Sequence, residues 1–272
     1  MATGTGTDVI KRNNVQIKGS GNETIVFAHG FGCDQDMWRF ITPAYLDRYR
    51  IILFDYVGCG KSDLTAYNEE RYSTLNGYAE DILEICRELN LTNAIFVGHS
   101  VSSMIGVLAY IQAPELFSQM IFICPSPRYI NDTGYVGGFE KQDLEDLLDV
   151  MDSNYIGWAS FLAPVVMKNP DHPELTEELQ KSFCSIEPRI TKKFAEVTFF
   201  SDNRRDLEKI AIPTLILQCS DDAIAPDEIG EYMHEHTPGS TLTKMEATGH
   251  CPHMSHPDET IEEMNKFLDK EN

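Results

Sequence analysis

Six short apolar runs recur along the chain: Thr24–Ala28, Arg50–Phe54, Ala94–Val97, Met120–Cys124, Thr214–Cys219 and Thr241–Met245. Each is about one strand long. Most are apolar at consecutive positions rather than at every second one, which suits strands covered on both faces, as in a parallel sheet. Stretches of helical periodicity separate them, such as Tyr78–Leu89 with Ile82, Leu83, Ile85 and Cys86. Strand and helix in alternation predict an α/β fold, a three-layer sandwich with a mostly parallel sheet in the middle. Val15–Lys18 reads as one more strand, antiparallel at an edge.

The alternation stops between Cys124 and Ile212. That stretch carries four helical patterns instead, at Lys141–Met151, Asn154–Val166, Leu175–Phe183 and Pro188–Phe200. An insertion there stands at the carboxyl edge of the sheet, where open α/β folds bind their ligands. The expected organisation is one domain, with residues 1–125 and 209–272 as its core and 126–208 as a helical lid.

Composition narrows the partners. At 42% hydrophobic and 24% charged residues, the chain is ordinary globular protein. Twenty-two Lys and Arg against 43 Asp and Glu give a net charge of −21. Such a surface repels phosphate backbones and anionic lipid, so neither nucleic acid nor membrane is an expected partner. The clusters Glu140–Asp152, Glu174–Glu178 and Asp258–Glu263 read as solvated helix faces. Seven cysteines at irregular spacing do not form a disulfide framework, and Met1–Asp8 has no apolar signal stretch. Both point to a reducing, cytoplasmic location. Leu91–Pro114 has no charged residue, but His99 and three serines in its middle fit strand, turn and helix better than a membrane span.

The chemistry centres on Gly98-His99-Ser100-Val101-Ser102, a G-x-S-x-S frame between a predicted strand and a predicted helix. A serine on so sharp a turn exposes its hydroxyl, and the amide after it, from Val101, is free to bind an oxyanion. A nucleophilic serine needs a base, and the base needs an acid to orient it. Asp221 and Asp222 follow the strand Leu215–Cys219, and both qualify by position. His250 follows Gly249 past the next strand and is the natural base; His253 and His256 are its rivals. The three histidines also read H-x-x-H-x-x-H, but Pro252 and Pro257 break any helix that would align them, so no metal is expected. His29-Gly30-Phe31-Gly32 ends the first long strand and offers the Phe31 amide as a second oxyanion donor. Asp55–Ser62 lacks both a G-x-G-x-x-G and a P-loop pattern and reads as a structural turn.

These motifs stand in the order found in the α/β-hydrolase superfamily. Ser126–Asp132, Gly137–Glu140, Asn154-Tyr155, Trp158 and His253–Pro257 go further. They resemble the RsbQ-like bacterial stress-response hydrolases and their plant relatives, the karrikin and strigolactone receptor hydrolases, with the likeness running from about Val15 to Leu268. The resemblance implies an α/β-hydrolase sandwich under a cap of four helices. It implies a triad of Ser100, Asp222 and His250, choosing Asp222 as the acid three residues before Ala225-Pro226. It places pocket aromatics at Phe31, Phe139, Trp158 and Phe199. A further aromatic of the family falls on Leu162, with Phe161 beside it, and both are carried as expected pocket residues. Ser102 stands where the family usually has glycine. The implied reaction is cofactor-free hydrolysis of a small apolar ester or lactone, such as a butenolide, through an acyl-enzyme. The implied partner is a signalling protein such as a PAS-domain phosphatase. Two alternatives use the same residues: a ligand-sensing module with little turnover, and haloperoxidase-type perhydrolysis.

Overall fold

The computed structural model describes residues 8–271; residues 1–7, most of the segment read above for a signal stretch, lie outside the described residues. Seven strands form one sheet: β1 (Gln16–Lys18), β2 (Glu23–Ala28), β3 (Tyr49–Leu53), β4 (Ala94–His99), β5 (Phe117–Ile123), β6 (Thr214–Asp221) and β7 (Ser240–Thr248). Their spatial order is β1-β3-β2-β4-β5-β6-β7. The edge strand β1 runs antiparallel to β3, with Ile17 opposite Ile52, and the other pairs are parallel.

Consecutive apolar positions do what a doubly covered sheet requires of them. Ile25, Phe27, Ile51, Ile121 and Leu217 enter one buried cluster, while Val26, Ala28, Ile52, Phe122 and Ile216 enter the other. Full burial of each large side chain is worth about 1.5–3 kcal/mol. The helices are α1 (Val9–Arg12), α2 (Leu75–Glu88), α3 (Val101–Gln112), α4 (Lys141–Ser153), α5 (Tyr155–Met167), α6 (Pro173–Ser185), α7 (Pro188–Phe199), α8 (Asp227–His236), α9 (Pro252–Ser255) and α10 (Pro257–Glu271). On the β2 Val26 face lie α2, α3 and α8, while Phe267 and Leu268 of α10 pack on the opposite face.

The four helices α4–α7 fill the gap between β5 and β6. Pro173 and Pro188 open α6 and α7 at the first helical position, where a missing N–H costs nothing. Asn154 caps α5 by accepting from the Gly157 amide at 3.0 Å.

Topology fixes where a site forms. From β2 the chain moves to β3 on one side, and from β4 to β5 on the other. The loops leaving β2 and β4 therefore diverge and open a crevice at the strands' carboxyl ends. One loop is His29–Gly32, and the other turns on Ser100.

Candidate active site

β4 ends at His99 and α3 begins at Val101, so Ser100 alone turns the chain. Its φ of 56° and ψ of −126° lie outside the regions L residues favour. The turn is held by the Ser100 amide donating to the Ile123 carbonyl at 2.9 Å. A Cβ at position 98 would sit 2.8 Å from the Ser102 carbonyl carbon, so glycine lets β4 and α3 approach this closely.

His250 reaches the same point from the far side of the sheet. Its Nε2 lies 2.7 Å from Ser100 Oγ, and its Nδ1 lies 2.7 Å from Asp222 Oδ2. The carboxylate can only accept, so Nδ1 carries the proton and Nε2 presents its lone pair to the serine hydroxyl. The other Asp222 oxygen accepts from the amides of Ile224 at 2.8 Å and Ala225 at 3.2 Å. Burial pushes the Asp222 carboxyl up. The charge and hydrogen bond of His250, with those two amides, outweigh it and hold the group below its ordinary value.

The chain around His250 is fixed on two sides. Its carbonyl bonds His99 Nε2 at 2.7 Å, and its amide donates to the Val166 carbonyl of α5 at 2.8 Å. The preceding Gly249 has φ +79°, and a Cβ there would meet the Met167 carbonyl oxygen at 2.0 Å. Only glycine passes there.

The rival residues lie elsewhere. Asp221 points outward and pairs with Lys168 Nζ at 2.5 Å. His253 is fully buried against Trp38 and His99, and His256 bonds Ser255 Oγ at 2.9 Å. The Asp55 carboxylate of the structural turn accepts from the amides of Gln35 and Lys61, each at 2.9 Å, and from Asn14 Nδ2 at 2.7 Å, and so ties three segments together.

Val101 is the first residue of α3, so its N–H is among those a helix leaves unpaired. Phe31 lies in the loop after β2, closed by the Cys33 amide donating to the Gly30 carbonyl at 3.3 Å. Ser102 ties the two segments together. Its hydroxyl donates to the His29 carbonyl and lies 2.9 Å from the Tyr56 hydroxyl. The side chain standing where glycine was expected thus links α3 to the loop of Phe31.

A narrow cavity ends at Ser100 and His250. Phe31, Leu162 and Phe199 line it, as do Tyr129, Val166, Leu179, Phe183, Thr198 and Ile224. Its walls are apolar except for a few groups. The Tyr129 hydroxyl is 3.3 Å from Ser100 Oγ, and the Thr198 hydroxyl is buried without a partner.

Three expected pocket residues stand apart from this lining. Phe161 is 63% exposed. The buried face of α5 carries Trp158, Ala159, Leu162, Ala163, Val166 and Met167, and position 161 turns away from it. Trp158 is buried one layer back, its ring 6.2 Å from Phe31 and 5.2 Å from Phe183. Phe139 is also behind the wall, 6.4 Å from Phe199. Sequence reasoning missed Phe183 and Leu179, although Leu175, Leu179 and Phe183 form an apolar stripe at helical spacing. It also missed Tyr129, for which no local pattern existed.

The model of the alpha/beta hydrolase family matches residues 25–263. The chain is 39% identical to the Karrikin insensitive 2 receptor CA of Petunia hybrida, over 93% of this chain and 94% of that one. It is 35% identical to a strigolactone esterase of Arabidopsis thaliana, over 96% and 98%. Among solved structures, a hydrolase from Oleispira antarctica superposes with a TM-score of 0.94 at 48% identity, covering 96% of both chains. Sheet order, the sharp turn at Ser100 and these matches lead to one statement: the chain belongs to the alpha/beta hydrolase family.

Proposed function

We propose that the protein is a serine esterase or lactonase. His250 takes the proton of Ser100, and Ser100 attacks the carbonyl of a small apolar ester or lactone. Asp222 fixes the imidazole tautomer and stabilises the imidazolium that forms. The amides of Phe31 and Val101 receive the oxyanion. Water then releases the acyl group from Ser100, with His250 again as base. No step requires a cofactor. The observation that carries this reading is the pair of 2.7 Å bonds that place one imidazole between a strained serine and a buried carboxylate.

The substrate class follows from the walls. An apolar cavity with isolated hydroxyls at Thr198 and Tyr129 suits a compact ligand with one or two oxygens to place. In this reading residues 126–208, with α4–α7, act as the lid over the core. Among the described residues no helix is long and apolar enough to cross a membrane, and the seven cysteines are free.

Ser100→Ala tests the assignment. With p-nitrophenyl acetate, kcat should fall by about 10⁴–10⁶-fold while the melting temperature holds. Intact mass spectrometry with a butenolide should show an adduct on the wild type and none on Ser100→Ala. Unchanged turnover would overturn the reading.

A second reading, ligand sensing, is favoured by relatives that bear the names of receptors as well as esterases. In it a partner, such as a PAS-domain phosphatase, reads the state of the lid. Affinity capture with and without a butenolide should then show a ligand-dependent partner, and none would appear if hydrolysis is the whole function.

A further inference from the structure

Beside the proposed triad lies a cluster that hydrolysis does not use. His99, Cys251 and His253 are all buried, and one ligand atom from each lies within 4.8 Å of the others. The two imidazole rings are 4.4 Å apart between centroids. His99 Nε2 bonds the His250 carbonyl, which only accepts, so Nε2 holds the proton. That leaves a lone pair on His99 Nδ1, which has no hydrogen-bond partner. His253 is 0% exposed, and neither of its ring nitrogens has a partner. A buried polar atom left unpaired is costly, and three belong to the two histidines beside this thiol. The other such group, Cys124 with Asp222 and His250, differs because its carboxylate and imidazole already bond each other.

We propose that His99 Nδ1, Cys251 Sγ and a ring nitrogen of His253 form a binding site for one thiophilic divalent cation of the Zn²⁺ and Cd²⁺ class. Two imidazoles and a thiolate are a donor set such ions favour, and three protein ligands leave a fourth position open. The bond from His99 Nε2–H to a backbone carbonyl is the outer contact that orients a ligating histidine. Metal bonds of about 2.0–2.3 Å bring tetrahedral ligand atoms to within about 4 Å of one another, so small side-chain rotations close the present set. Entry runs through the substrate cavity, whose lining includes His99, Cys251 and a second thiol, Cys33. On binding, the S–H bond of Cys251 gives way to a metal–sulfur bond, and one proton leaves to solvent. Ser100 and His250 share this wall, so a bound ion takes up room beside the nucleophile and slows ester turnover. That consequence rests on the proposed triad; binding itself does not.

Cadmium titration tests the site without substrate. In a Cys184→Ala background, which removes an exposed cysteine, metal-free protein should show a thiolate-to-cadmium absorption band that saturates at one equivalent. Zn²⁺ should compete the band away. Cys251→Ala in that background should lose it, with metal-free melting confirming the fold. If the alanine variant does not melt cooperatively, Cys251→Ser, close in size and without the sulfur band, gives the same readout. Absence of the band, or its survival after Cys251 is replaced, overturns the proposal. Ser100→Ala should keep the band, so a failed metal site and a failed hydrolase reading give different results.

Discussion

Asp81 and Asp222 are two of the three aspartates buried among the described residues, and their surroundings differ. Asp81, on α2, is fully enclosed. It accepts from Arg71 at 2.8 Å, Tyr72 at 2.9 Å, Asn13 at 3.1 Å and Arg12 at 3.3 Å. Burial pushes its carboxyl up, and the two guanidiniums pull it back only in part. Asp222 has fewer partners and one that can change state, an imidazole whose other nitrogen meets a hydroxyl at the end of a cavity. Burial and pairing are common to both. What distinguishes them is the partner: Asp222 meets an imidazole beside a cavity, whereas the enclosed Asp81 meets fixed donors.

Exchanging each acid for its amide sets this contrast at its widest. Asp222→Asn should lower kcat by about 10⁴-fold and leave melting little changed. Asp81→Asn sets an amide N–H₂ among donors and should lower stability by about 1–3 kcal/mol, less than the loss of a favourable charge pair because burial already weighs against the ionised acid and Glu84 still faces both guanidiniums. Its activity per folded molecule should hold. Ester kinetics beside chemical denaturation would show any exchange of those roles, which would break the contrast.

Acid titration of stability sharpens it. The folded value of Asp222 is depressed, so its contribution is present above the unfolded value of about 3.9 and is lost as pH falls through the folded value. Asp81 is raised, so its ionised form weighs against the fold, and that burden eases as pH falls into the folded range. Denaturation curves from neutral pH downward should therefore differ from wild type in opposite senses for the two amide variants.

Smaller effects test the surroundings. Ser102→Ala strips a partner from the His29 carbonyl and from Tyr56, and should cost about 1–2 kcal/mol with a kcat loss well short of that for Asp222→Asn. Smallest of all, Asp221→Asn breaks an exposed pair with Lys168 worth less than about 1 kcal/mol. Its turnover should stay near wild type. A large loss there would mean that the acid had been assigned to the wrong neighbour.

Much of the architecture was legible because it rests on local pattern. Continuous apolar runs gave the parallel strands, and Val15–Lys18 gave the antiparallel edge. The four helical stretches between Cys124 and Ile212 lie within a few residues of α4–α7. The cavity was harder to read, because walls are made by residues distant in the chain. Leu162, Phe183 and Phe199 meet only after three helices pack. Phe161 was favoured for its aromatic ring, whereas the period of α5 turns it to solvent. The residues alone left Asp221 and Asp222 level, since both follow one strand. In the fold the two carboxylates part: Asp221 turns outward to Lys168, and Asp222 meets His250. The Arg12–Arg71–Asp81 brace had no local signature, for its members resemble ordinary surface charges until α1 and α2 enclose them.

The bond from the His250 amide to the Val166 carbonyl gears two parts of the machine together. Val166 also lines the cavity that ends at Ser100. A shift of the end of α5 would therefore carry the His250 backbone with it, and a fixed α5 holds that backbone still.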